Sequence, residues 1–126
     1  MKKQLKKGQA LISLLAFIAM ASVITTAAVS VAIITARSGD DFSQGNKALS
    51  AAQSGIENAI LKLLRDDAYT GETMNIDSDS VTINVTGGGV KTITSSSVVG
   101  NFNRVVEVVG TFSNNTFTIS SWKEIN

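Results

Sequence analysis

The chain has 126 residues, length for about one domain, and it contains no cysteine, no histidine and no proline. Disulfide frameworks and thiolate metal sites are therefore excluded, and so are the commonest general base and the commonest transition-metal ligand. The formal net charge of +1 conceals an asymmetry: four of the eleven basic residues, Lys2, Lys3, Lys6 and Lys7, precede Gly8, leaving seven against ten acidic residues and a net charge of −3 for the rest. A mildly acidic body does not point to nucleic acid as a partner.

The first predicted element opens at Gly8. From Gly8 to Ala36 no residue is charged, a run of 29. A helix needs about 20 apolar residues to cross a bilayer, whereas the apolar part of a secretion signal spans about 7–15. The length favours a spanning helix. The lysines on one side predict a cytoplasmic N-terminus and an external C-terminal part, with the chain as a single-pass inner-membrane protein. Ser13, Ser22, Thr25, Thr26, Ser30 and Thr35 dilute the run, but helical hydroxyls bond back to the preceding turn. Two other readings stay open at this point. The run also suits a plain anchor, and Thr26-Ala27-Ala28 has small residues suited to signal cleavage.

Arg37-Ser38-Gly39-Asp40-Asp41 reads as the membrane exit, with a kink at its glycine. Helical periodicity then resumes. Ala48, Leu49, Ala52, Ile56, Ala59, Ile60, Leu63 and Leu64 recur at spacings of three and four, with polar residues on the other faces. This amphipathic helix should end near Arg65-Asp66-Asp67. If it continues the membrane segment, residues 9–65 form a rod of about 85 Å at 1.5 Å per residue.

Beyond Gly71 the period changes to two. In "SVTINVTGGGVKTITSSSVV", Val81, Ile83 and Val85 alternate with Thr82, Asn84 and Thr86. Gly87-Gly88-Gly89 is a turn, and a second strand begins near Val90. "RVVEVVGTF" is a third strand, with Gly110 suited to a bulge. Ser113-Asn114-Asn115 turns the chain, and "TFTISSW" is a fourth. "TMNI" at 73–76 is a candidate for one further, short edge strand. The predicted fold is α+β: a long N-terminal helix, membrane-spanning in its first half and amphipathic in its second, packed on an antiparallel sheet of about four strands. Leu49, Ala52, Ile56, Ala59, Ile60 and Leu63 are the expected helix–sheet contacts.

At this point "MKKQLKKG", the junction Gly8-Gln9 and "ALISLLAFIA" resemble the type IV pilin and pseudopilin family. "ALSAAQSGIENAILKLL" (48–64) resembles the post-membrane helix of PilX-like minor pilins, with Ala51, Ala52, Gly55, Ile56, Glu57 and Ala59 fitting that pattern and Leu49 standing where its first alanine would be. The resemblance implies four segments: a cytoplasmic leader (1–8), a transmembrane and assembly helix (9–36), its amphipathic continuation (37–67) and a β-sheet domain (68–126). It implies cleavage after Gly8 by a prepilin peptidase, methylation of the new N-terminus at Gln9, and assembly through Ala10, Leu11, Ile12, Ser13, Leu14 and Leu15 with other pilin or pseudopilin subunits. The bilayer would be the partner before assembly and a type IV pilus or type II secretion-like filament the destination. Two positions depart from the family: Gln9 replaces the usual Phe or Met, and Ser13 replaces the usual Glu. The second departure points to a minor subunit rather than the repeating one.

No enzymatic constellation, cofactor or metal site is called for. Asp40-Asp41 and Asp66-Asp67 are adjacent pairs that diverge on a helix and read as solvated turns. Asp77-x-Asp79 offers oxygen ligands of the kind calcium takes, without the EF-hand spacing, and a polar turn is the simpler reading. Asn84-Val85-Thr86 and Asn114-Asn115-Thr116 match the N-glycosylation pattern. The alternative to a filament subunit is a non-polymerising, membrane-anchored binding or adhesin module.

Overall fold

The computed structural model describes residues 2–125, with side chains from residue 6 to residue 125. The side chains of Lys2 and Lys3 thus lie outside the described residues.

Helix α1 runs from Lys2 to Arg65. No proline interrupts it, and five of the six hydroxyls of its apolar stretch bond back to the helix itself. Ser22, Thr25, Thr26, Ser30 and Thr35 each donate to the carbonyl four residues earlier at 2.8–2.9 Å. The segment 37–41, where a kink was expected, is helical throughout, Gly39 included. One glycine in a helix costs only about 1 kcal/mol relative to alanine, too little to stop a helix with ordered turns on both sides. The helix ends where expected. Asp66 accepts through its side chain from the amide of Ala68 at 3.0 Å, an Asx turn that redirects the chain, and Lys62 and Arg65 occupy the last turn, where cations suit the dipole.

Five strands follow: β1 (Gly71–Ile76), β2 (Asp79–Gly87), β3 (Val90–Val99), β4 (Phe102–Ser113) and β5 (Thr116–Ile125). They form one antiparallel sheet in sequential order. The strand number corrects the expectation of about four, because "TMNI" belongs to β1, a full edge strand paired with β2 from Gly71 to Ile76. The bulge expected at Gly110 is present as a register shift between Val109 and Gly110. Asn114 and Asn115, both with positive φ (51° and 61°), make the two-residue turn whose twist suits a hairpin.

The chain divides into two compact units, the helix up to Asp40 and residues from Asp41 onward. In the second unit the helix segment lies on one face of the sheet. Ala48, Ala52, Ile56, Ala59 and Leu63 have no exposed surface, and Ala52, Ile56, Ala59 and Leu63 share a core with Val81, Ile83, Val85, Ile93, Val106 and Val108. Leu49 and Ile60 are half-buried against it. All six expected helix–sheet contacts therefore lie in or beside the core. On β2 the alternation is as read, with Val81, Ile83 and Val85 buried and Thr82, Asn84 and Thr86 exposed.

Gly55 explains how the helix approaches so closely. A Cβ there would collide with the Ser95 hydroxyl and come within 2.8 Å of Val81 Cγ1. The same close approach covers Ser95; Ser97 is equally buried, and neither hydroxyl finds a partner among the described residues. Two small polar side chains thus occupy core positions in the middle of the sheet.

Candidate functional site

Two features stand out, one in each unit. The first is the apolar stretch of α1. Every residue from 6 to 40 is exposed, and the large side chains are bare: Leu11 is 60% exposed, Ile12 70%, Leu14 55% and Leu15 63%. Gly8, Gln9, Ala10 and Ser13 lie on the same uncovered helix. A Cβ on Gly8 would meet nothing within 4 Å. Bare apolar surface of this extent is far beyond the few hundred Å² that soluble monomers expose. The helix is long and apolar enough to cross a membrane, and it is the one such helix among the described residues. Its backbone is satisfied internally, as a bilayer requires.

The second feature is a set of ion pairs that stitch the second helix segment to the sheet. Lys62 pairs with Glu72, which also accepts from the Tyr69 hydroxyl at 3.1 Å and the Asn58 amide at 3.3 Å. The Lys62 hydrogen bond, helped by those from Tyr69 and Asn58, holds the Glu72 carboxyl below its usual range. Burial, then the carboxylate of Glu72, pushes the Tyr69 hydroxyl up to about 12. Lys62 also lies over the Tyr69 ring, 5.5 Å from its centre, within cation–π range. On β3, the buried Lys91 reaches the helix end, donating to the Asp67 backbone carbonyl at 2.8 Å and pairing with its carboxylate at 3.0 Å.

Asp79 meets a lysine: Lys47 Nζ lies 2.8 Å from its carboxylate, and that bond raises the Lys47 ammonium above its ordinary value. Asp77 sits in the β1–β2 turn with φ 55°. Among the described residues no group of three acidic side chains converges on a point that would hold a metal ion. Sequence reasoning passed over Glu72, Lys47 and Lys91, because their ion-pair partners lie between 10 and 32 residues away with no local pattern joining them. The strand pattern of "TFTISSW" also left the place of Trp122 open. This residue pairs with core-facing Val108 across β4 and β5, so it lies on the helix-covered side of the sheet, yet it is 42% exposed at the sheet's edge.

Compared with models of protein families, with characterised proteins and with solved structures, the chain matches none.

Proposed function

We propose that this chain is a minor pilin or pseudopilin, cleaved after Gly8 by a prepilin peptidase and assembled into a type IV pilus or type II secretion-like filament. The observation that carries the reading is the single helix α1. Its first part is a 29-residue uncharged stretch, Gly8 to Ala36, left bare in the monomer, and its second part is the covering helix of a small sheet. A bilayer solvates such a stretch before assembly, and the same stretch from other subunits buries it afterwards. The lysines before Gly8 support a cytoplasmic N-terminus and an external sheet domain. Cleavage at Gly8 removes the charged leader and leaves the apolar helix whole.

Ser13 supports a minor role. A carboxylate at that depth costs several kcal/mol unless a partner neutralises it, so a chain without one cannot form the charge pair with a neighbour's N-terminal amine that the family's major subunits are thought to use. The same residue keeps the alternative in view, an anchored binding module that never polymerises. Mass spectrometry of the membrane-bound protein separates the two. A mature N-terminus at Gln9, carrying one added methyl group, is the expected result. An N-terminus at Met1 supports the anchored module, and one at Val29 supports signal cleavage.

A further inference from the structure

We propose that residues 2–7 bind the anionic lipid headgroups of the leaflet they face, and that removal of this segment releases the chain from those lipids. The inference rests on the membrane reading above and deepens it. Six consecutive residues, Lys2-Lys3-Gln4-Leu5-Lys6-Lys7, carry four positive charges and no negative one, directly before the uncharged run that begins at Gly8. Lys6 and Lys7 are exposed, and the nearest acidic residue along the chain is Asp40. A helix embedded from Gly8 onward holds Lys6 and Lys7 at headgroup depth, and the sequence of the segment offers no carboxylate to pair with any of its four lysines. Four lysines beside a spanning helix are the composition that recognises phosphatidylserine-like or phosphatidylglycerol-like surfaces. Each lysine near such a surface strengthens the association about fivefold. A chain that begins at Gln9 retains none of them, and the next basic residue, Arg37, lies beyond the far end of the apolar run. Topology alone would be served by the same charges without lipid contact. What distinguishes lipid binding is selectivity among headgroups.

The chain has no cysteine, so Gln4→Cys provides a single labelling site in the full-length protein. The labelled protein is reconstituted into vesicles of mixed phosphatidylcholine and phosphatidylglycerol, and energy transfer to a trace of either labelled lipid is measured. Flotation with the vesicles is checked first; a chain that does not float overturns the membrane reading and this inference with it. In a floating chain, transfer should favour phosphatidylglycerol several-fold at low salt. The preference should vanish as salt shortens the screening length from about 30 Å at 0.01 M to about 3 Å at 1 M. It should be lost when Lys2, Lys3, Lys6 and Lys7 are all changed to Gln, and kept when they are changed to Arg. A second label, introduced by Gln9→Cys, should show the preference in the full chain and lose it when the same variant is shortened to begin at position 9. Equal transfer to both lipids, or a preference unaltered in the variant with four Lys→Gln changes, overturns the proposal while leaving the filament reading intact.

Discussion

At the residue scale, Glu72 and Gly55 decide most. Glu72 gathers Lys62, Tyr69 and Asn58 around one carboxylate. Its depressed pKa means that its contribution to stability is present above the ordinary value of 4.5 and is lost as pH falls through the lower folded value. Tyr69 works in the opposite direction. Its hydroxyl is protonated in the fold until about pH 12, against 10 when unfolded, so its contribution is complete below pH 10 and is lost between the two values. Lys47, with a raised pKa, adds to the same alkaline loss. Thermal unfolding of the sheet unit, followed by circular dichroism, should therefore show a plateau near neutrality. Glu72→Gln should flatten its acid limb, and Tyr69→Phe should leave an alkaline limb due to Lys47. At Gly55, alanine should destabilise by about 1–3 kcal/mol, because the core is overpacked there. Ser95→Ala removes both the obstructing oxygen and a buried hydroxyl without a partner, whose desolvation costs about 1–3 kcal/mol. It should stabilise the wild-type chain and restore part of the loss in Gly55→Ala, a coupling that a double-mutant cycle measures.

At the element scale, α1 is one helix with two environments. From Ala48 to Leu63 its stripe is buried by the sheet, so Ile56→Ala or Leu63→Ala should cost about 2–5 kcal/mol of sheet-unit stability. Between Leu11 and Ile34 the same residue types are bare, and Leu15→Ala should leave that unfolding transition where it is. Equal shifts for Leu15→Ala and Leu63→Ala in detergent-solubilised protein would contradict this division. The sheet shows a related asymmetry. β2, β3 and β4 supply its core residues, whereas β5 offers the half-buried Phe117 alone, because the helix segment covers the middle of the sheet and not its last strand.

At the scale of the whole molecule, Gly8 tests the proposed processing cleanly. A side chain there meets no neighbour, and Gly8 lies outside the compact unit that begins at Asp41. Gly8→Phe should thus leave the fold and the membrane association unchanged and abolish cleavage by a prepilin peptidase, read as retention of the leader in the intact mass. Efficient cleavage of the variant would remove glycine recognition from the account. On the proposed reading, an uncleaved chain should stay in the membrane and should not enter the filament.

The amino-acid sequence by itself determined the uncharged run, the amphipathic stripe at 48–64, the helix end at Arg65 and the alternation of β2, because each is a local period or a local charge pattern. It also placed the bulge at Gly110 and the turn at Asn114-Asn115, where glycine and asparagine tolerate backbone conformations that others resist. Tertiary structure alone decided the rest. β1 runs from Gly71 to Ile76 because β2 offers it a partner along its whole length, whereas the local pattern suggested only a short edge strand at 73–76. Ser95 is buried because the glycine opposite, Gly55, lets a helix descend onto it. Lys47, Lys62 and Lys91 find carboxylates that only folding brings near. Local periodicity records which face a residue takes, whereas the identity of its neighbour depends on contacts between segments far apart in the chain, and those are fixed by packing.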